Sequence, residues 1–489
     1  MKIIHKTDTW APHFGDYKDC LVIYDDRWND YCYMTTFHVV FCDDTGKCIR
    51  IGDVKIYYYD YDKNRTESYG QAVSGVIGDN ITQLSEKFCS LGQSLNYYQS
   101  LKNNCPDDYL DILKRLNDIA INQDLRNKFI EEDGVQTSLL RDSSAEKAIN
   151  EAETLLRTNQ LIEKDVSFSY FAKVPYNTDR TPLSFNFKKN ENLPYRINAL
   201  IGKNGVGKTQ ILSKLAESLS GITANISEKE ASFKGKRPPV DKVISISYSA
   251  FDEFRKRVAD GNEYRDNSYA YCGIQSEHGT LSLEELKHNF IKALKNIKER
   301  GRLESWKSIM QELIEKEHIN LIEQVSDGEI DSIHWSSGQY ILLCTMTEVI
   351  ATIEKESILL FDEPEIHLHP NAIANTLRML YKLLEEFDSY AIFATHSPLI
   401  VQEIPSRCVQ ILSRIDNILT VRKPELECFG ENVTNITNDI FDVNGSESKY
   451  KTILNNLSNK MSFEDVLNVF DGALSFNAMI YLKGCYKDE

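Results

Sequence analysis

Eight residues constrain this chain more than any others. Gly202-Lys203-Asn204-Gly205-Val206-Gly207-Lys208-Thr209 lie between the apolar run Ile197 to Ile201 and a helical stripe of Ile211, Leu212, Leu215 and Leu219. A Gly-x-x-x-x-Gly-Lys-Thr loop between a strand and a helix lets backbone N–H groups curl around phosphates, because its glycines carry no Cβ to clash. The helix beginning near Lys208 adds the partial positive charge of its N-terminus. Lys208 is expected to reach the β- and γ-phosphates of ATP and the hydroxyl of Thr209 to bind Mg²⁺, with Gln210, next along the helix, counted among the nucleotide-binding residues. A strand feeding such a loop belongs to an α/β fold.

The acidic counterpart is Asp362-Glu363, which ends the apolar run Ile358-Leu359-Leu360-Phe361. That position is the carboxyl edge of a sheet, where nucleotides bind. The first residue beyond such a strand is the usual magnesium partner, so Asp362 is assigned to the metal and Glu363 to the attacking water. Ser336-Ser337-Gly338-Gln339 precedes the helical run from Tyr340 to Ile353 and offers hydroxyls, a glycine backbone and free helix N–H groups to an anion. In isolation the same tetrapeptide reads as a helix cap. His396, in Ala394-Thr395-His396-Ser397-Pro398, is placed after the next strand to hydrogen-bond a γ-phosphate, against the plainer reading of a loop histidine.

At 489 residues the chain exceeds one ordinary core, and its patterning divides it in three. Residues 1–164 read as a β-then-α accessory region. His38 to Cys42 and Cys48 to Ile51 flank a hairpin signal, Val54 to Tyr59 offers a further strand, and Leu84, Phe88, Leu91, Leu95 and Tyr98 fall at helical spacing. Ser143 with Glu146 resembles a capping box. Residues 165–445 carry the nucleotide core, with strands at Val166 to Phe171, Leu183 to Phe187, Ile197 to Ile201, Val243 to Ser247, Ile358 to Phe361 and Tyr390 to Ala394. A helical insert at 254–333 puts Leu286, Phe290, Leu294 and Ile297 on one face, and 446–489 reads as a helical tail.

A formal net charge of -17 argues against a surface that attracts phosphate backbones everywhere. DNA or RNA contact is therefore confined to a patch, for which the candidates are Lys234, Lys236, Arg237, Arg255, Lys256 and Arg257, with Lys287, Lys292, Lys295 and Lys298 on the insert. A solvated charged face is the commoner meaning of such runs. No stretch approaches the roughly 18 apolar residues that span a bilayer, and the first ten residues lack a signal peptide's apolar block, so a cytoplasmic protein without membrane partner is expected. Eleven cysteines with no Cys-x-x-Cys pair suit reduced, packed thiols.

The order of phosphate loop, Ser-Ser-Gly-Gln, Leu-Leu-Phe-Asp-Glu-Pro-Glu-Ile-His-Leu-His-Pro and Thr-His-Ser-Pro resembles that of ABC-type ATPases. Within that class the chain is similar to overcoming-lysogenization-defect ATPases and the ATPases of Septu and retron antiphage systems, from about Val166 to Val443, including Phe429-Gly430-Glu431-Asn432. The resemblance implies an ABC-type P-loop core with a mixed sheet, and a homodimer or higher even oligomer. In it, Ser336 and Gly338 of one chain would close over the ATP held by Lys208 of the other. It also implies Glu363 as catalytic carboxylate, His396 as switch histidine, and Glu365 to His369 as the segment crossing the interface, which accounts for His367 and His369 better than a metal pair with Asp362 does. The glutamine expected after the second core strand is absent where Ser247-Tyr248-Ser249-Ala250-Phe251-Asp252 stands, and Asp252 is the candidate replacement at the metal.

Three functions compete. A chromosome-maintenance or DNA-repair ATPase would carry long heptad arms, yet fewer than ninety residues separate Asp252 from Trp335. A scaffold that uses ATP only to dimerise would show negligible turnover. The reading preferred on the resemblance is the ATP-hydrolysing regulatory subunit of an antiphage system, controlling a separately encoded effector, expected to be a nuclease, since the residues after Val443 hold no acidic constellation of a nuclease.

Overall fold

A computed structural model of the chain describes every residue except 8–16, 27–29, 31–32, 60–72, 159–165, 178, 191, 222–231, 236, 250–253, 255–267, 277–278, 325–334, 367, 442–448 and 487–489. Asp252, Lys236, Arg255, Lys256, Arg257 and His367 thus lie outside the described residues, as do the expected boundaries at 164/165 and 445/446.

The N-terminal unit is a five-stranded sheet in sequence order. β1 (Lys2–Lys6) runs parallel to β2 (Cys20–Asp25), and β3 (Thr36–Cys42), β4 (Cys48–Tyr58) and β5 (Phe88–Gly92) follow antiparallel. Several expectations change here. Cys48 to Ile51 and Val54 to Tyr59 form one strand: Gly52, at φ 146°, sits where the pairing slips between Val39 and Val40, so the strand passes through a bulge. Phe88 and Leu91 belong to β5, whose five positions are all buried, and a fully buried strand has no alternation to betray it. The helix starts only at Leu95, where Ser94 accepts from the Tyr97 N–H. Ser143 opens a helix through Thr158 without capping it, since the Asp142 carbonyl takes the Ala145 and Glu146 N–H groups. Cys42 and Cys48, expected as thiols, are joined by a disulfide, the β3–β4 register having set them directly opposite.

Beyond this unit, β6 (Ser167–Ala172) and β7 (Thr181–Asn186) form an antiparallel ribbon. The strands β8 (Ile197–Gly202), β9 (Val243–Ser247) and β10 (Tyr269–Tyr271) come next, then a short ribbon of β11 (Gln275–Ser276) and β12 (Gly279–Thr280). β13 (Ile358–Asp362), β14 (Tyr390–Thr395), β15 (Val409–Ile415) and β16 (Ile418–Arg422) complete the core. The main sheet has seven strands in the order β10-β9-β13-β14-β8-β15-β16. Every neighbouring pair is parallel except β15–β16, so the sheet is mixed.

β8, β9, β13 and β14 are buried along their whole length, as a sheet covered on both faces requires. Alternate residues divide between the faces. Ala199, Ile201, Phe361 and Phe393 meet the helices Ser337–Thr352, Leu283–Glu299 and Pro370–Glu386, while Leu200, Leu360 and Ile392 meet the helix Lys208–Ser220. The insert continues the first of these layers, with Leu286, Phe290, Leu294 and Ile297 buried in it. Trp306 donates its Nε1–H to Thr347 Oγ1 at 3.0 Å, and Arg300 and Arg302 donate to the Ala351, Ile350 and Ile353 carbonyls that end the helix Ser337–Thr352. The insert and that helix are one packed block. Three short helices, Lys449–Ser458, Phe463–Val469 and Phe476–Cys485, close on their own cluster of Leu454, Val466, Ala478 and Leu482. Among the described residues no helix is long and apolar enough to cross a membrane.

The N-terminal unit docks on the amino ends of the core strands. Lys147, fully buried, places Nζ 2.6 Å from Glu356 and 3.3 Å from Asp241, the residues that lead into β13 and β9. Burial alone would lower the pKa of this ammonium, but the two carboxylates raise it. Arg237 pairs with Glu146 at 2.9 Å, and Ser144 and Ser268 share a hydroxyl bond of 2.9 Å. Replacing Lys147 with Met is expected to destabilise the chain by about 3–5 kcal/mol, because it leaves two buried carboxylates without their cation. Denaturant unfolding checks this against Lys295→Met, whose side chain is 78% exposed and 3.9 Å from Glu299. Equal midpoints for the two variants would refute the assignment.

Candidate nucleotide site

The phosphate loop leaves the carboxyl end of β8, and its backbone favours glycine at three positions. Gly205 and Gly207 have φ of 82° and 91°, a left-handed region in which a side chain is strained, and Gly207 directly precedes the helix Lys208–Ser220. Gly202 meets a different demand: β15 passes so close that a Cβ there would overlap the Leu412 carbonyl oxygen. Lys203, Asn204 and Gly205 are exposed, Val206 and Lys208 are buried, and Thr209 and Gln210 stand half-buried on the first turn. Lys208 folds back over the loop, with Nζ donating to the carbonyls of Gly202 at 2.9 Å and Lys203 at 3.3 Å. Burial lowers its pKa, while Glu363, Asp362 and Glu365 pull the other way.

β14 lies between β8 and β13, so the loops after all three strands open on the same edge. Asp362 is the last residue of β13 and only 3% exposed; Thr209 Oγ1 donates to its Oδ2 at 2.7 Å. A hydroxyl beside a carboxylate is a hard-oxygen pair of the kind Mg²⁺ takes alongside phosphate oxygens and water, so these residues fit the ion. Glu363 follows with φ of 49°, an uncommon conformation for a residue with a side chain, and its N–H donates to Ala394 at 2.8 Å. Its Oε1 lies 3.3 Å from Nδ1 of His396, a ring 44% exposed.

Ser336 and Gln339 form a capping box in which each side chain bonds the other residue's backbone, and both are exposed while Gly338 is buried. Their hydrogen bonds are made to each other and not to the phosphate loop. Within one chain the structure thus brings together Lys208, Thr209, Asp362, Glu363 and His396, and leaves Ser336 to Gln339 as a separate helix start in which Ser336, Ser337 and Gln339 are exposed. Ser247, where a glutamine was expected to follow, pairs in register with Asp362. His369 is exposed at the start of the helix Pro370–Glu386. Of the basic candidates, Arg237 is corrected: its side chain is 6% exposed and held by Glu146, so it is a domain contact. Lys295 pairs with Glu299, while Lys234, Lys292 and Lys298 lie on the surface.

One contributor escaped the sequence reading, and a second, Glu365, was named there only as the start of the segment expected to cross a dimer interface. Tyr176, between β6 and β7, donates its hydroxyl to the Val206 carbonyl at 2.7 Å and carries the Arg414 guanidinium 4.2 Å above its ring. Glu365 accepts from both Thr395 and His396. An acid two residues past Glu363 was visible as a signal; nothing in the order of residues marks Tyr176.

Comparison with known proteins gives a family described as "AAA domain, putative AbiEii toxin, Type IV TA system", which matches residues 315–402. That stretch holds Ser336, Asp362, Glu363 and His396. Protein ea59 of Escherichia phage lambda is 28% identical over 94% of this chain and 93% of its own length. Among solved structures, cbiO1 from Clostridium perfringens, part of the ABC transporter complex cbiONQ, is 13% identical with a TM-score of 0.31, covering 63% of this chain and 100% of that one. MJ1267, an ATP-binding cassette of an ABC transporter in its ADP conformation, is 11% identical with a TM-score of 0.30, covering 56% of this chain and 94% of that one. At such scores the likeness adds nothing to the architecture read from the strands themselves. The strand order and the loop at the end of β8 make this an α/β P-loop core.

Gly202→Ala is expected to cost about 1–3 kcal/mol of stability, since β8 and β15 must part to admit the methyl group, and to weaken ATP binding with it. Gly75→Ala, with nothing within 4 Å of its added Cβ, is the comparison. Unchanged unfolding and unchanged nucleotide affinity in Gly202→Ala would show that the close approach does not constrain the loop.

Proposed function

We propose that this chain is a cytoplasmic, Mg²⁺-dependent ATPase that dimerises on ATP and serves as the regulatory subunit of an antiphage system, holding a separately encoded effector, a nuclease, in check. The observation that carries the ATPase reading is the convergence of Lys208, Thr209, Asp362, Glu363 and His396 at one edge of the sheet. The setting is supported by the likeness to a protein of phage lambda and by a family description that names a toxin of a toxin–antitoxin system.

On ATP binding, Lys208 exchanges the carbonyls of Gly202 and Lys203 for β- and γ-phosphate oxygens, a trade of neutral dipoles for full charges. Thr209 and Asp362 would hold Mg²⁺, which would supply positive charge to offset that of the phosphates. Glu363 orients a water and takes its proton as that water attacks the γ-phosphorus. His396, with Nδ1 toward the carboxylates, turns Nε2 to the γ-phosphate, a bond that takes the doubly protonated ring, in which both nitrogens donate. In a dimer, this helix start would turn the Ser337 and Gly338 N–H groups, which the capping box does not use, to the γ-phosphate on the second copy. Control of an effector follows only if it binds the open and ATP-closed dimers with different affinity, because equal affinity shifts no equilibrium.

Lys208→Ala is expected to abolish ATP binding in calorimetry, and Glu363→Gln to keep binding while slowing hydrolysis by about 10²–10⁴-fold. Phage challenge of strains carrying the native operon should show resistance lost with either variant, and the effector should co-purify with the parent. Retained resistance in both variants with no co-purifying neighbour removes the defence role and leaves a DNA-metabolism ATPase.

Sharing across the dimer has its own test. Ser336→Arg should bind nucleotide yet fail to hydrolyse it, and mixing it with Lys208→Ala should restore part of the activity, since one composite site in each mixed dimer is intact. No recovery where mixed dimers form would rule out a shared site.

A further inference from the structure

Two residues beyond Glu363, a third carboxylate is built into the same edge of the sheet. The Glu365 side chain is 8% exposed. Its Oε1 accepts from the Thr395 hydroxyl at 2.6 Å and from the His396 backbone N–H at 2.9 Å, and lies 3.3 Å from His396 Nδ1. That ring nitrogen is equally 3.3 Å from Glu363 Oε1. Thr395 ends β14 and is fully buried, and Glu365 stands in the loop after β13, so one oxygen ties the two loops together. The other oxygen, Oε2, is buried with no hydrogen-bond partner among the described residues.

We propose that Glu365 is the positioning residue of the hydrolytic site, a role that rests on the ATPase reading above. It pins the turn carrying His396 through two charge-assisted hydrogen bonds, from the Thr395 hydroxyl and the His396 backbone N–H, and stands with Glu363 at 3.3 Å from the ring Nδ1. Without Glu365, Glu363 is the one carboxylate left within 4 Å of that nitrogen among the described residues. The lone pairs that Glu363 offers to water are then engaged, and the turn after β14 loses the bonds that aim the ring. With Glu365 in place the ring is held by a carboxylate that takes no proton from water, and Glu363 is left to do so.

All three contacts fall on Oε1 and none on Oε2, so glutamine can supply the same acceptor. Glu365→Ala is therefore expected to lower kcat roughly 10–100-fold, the usual effect of removing an outer partner of a reacting group, with KM and ATP affinity not weakened and the thermal midpoint lowered by the two lost bonds. Glu365→Gln should regain most of the loss. Parent kcat in Glu365→Ala overturns the proposal. So does a parallel fall of kcat, ATP affinity and midpoint in both variants, which marks a mere brace. Glu363→Gln run alongside reports on the ATPase reading itself: a parent without turnover, unchanged by that substitution, would sink that reading alone. The ¹⁵N resonances of the His396 ring, identified by their loss in His396→Ala, decide on Glu365 without hydrolysis. They should shift in Glu365→Ala and stay near parent values in Glu365→Gln; an unmoved ring in Glu365→Ala refutes the positioning role.

Discussion

A lysine ammonium is expensive to bury, and Lys208 is only 5% exposed. The rest of the site can be understood as what its burial requires. Two loop carbonyls accept its hydrogens, and the left-handed glycines turn the backbone so that those carbonyls face inward. Three carboxylates, from Asp362, Glu363 and Glu365, supply the opposing field. Each has other work: Asp362 accepts from Thr209, Glu363 approaches His396, and Glu365 joins two loops. A pocket so arranged has one positive group encircled by negative ones, and an incoming polyphosphate needs a divalent cation to be tolerated beside them.

The strand order makes this crowding possible. β14 intervenes between β8 and β13, so neighbouring strands deliver the lysine, the histidine and the acids without any long loop reaching across. Parallel pairing aligns Asp362 with Ala394, and Ala394 with Leu200, which fixes the three loop origins at one level. Short side chains can then meet. The second sheet and the terminal helices take no part in this geometry, which is why they are free to differ in character from the core.

How much of this could be read beforehand depends on how local each cause is. The phosphate loop was legible because every residue type in it answers a demand made within eight positions. Asp362 and Glu363 were legible because an apolar run that stops at two acids marks the end of a buried strand. The Phe88–Gly92 strand was not, since its pairing with β4 is decided about thirty residues away and its side chains mimic helical spacing. Tyr176, and the bonds Glu365 makes within its own chain, were missed for the same reason: their partners, Val206 and Thr395, lie 30 residues distant in each case. The β15–β16 hairpin is a different omission. Its turn residues Asp416 and Asn417 both have positive φ, 48° and 62°, and that pair of residue types was a turn signal in plain view. The fate of Cys42 and Cys48 was half legible, their opposition following from the turn between them and their bonding not.

Lys147 reaches from one half of the chain into the other, and its two carboxylates stand at the starts of the strands whose far ends carry Ser247, Asp362 and Glu363. Neither half is then a module in the genetic sense. A recombination that exchanged the first part of the gene would have to bring a cation to the same spot, or change Asp241 and Glu356 together. Fragments cut between the two units inherit charges with no answer to them: a lysine in one, a pair of acids in the other. The join between the accessory region and the nucleotide core accordingly constrains residues on both sides of it, as the phosphate loop constrains its own.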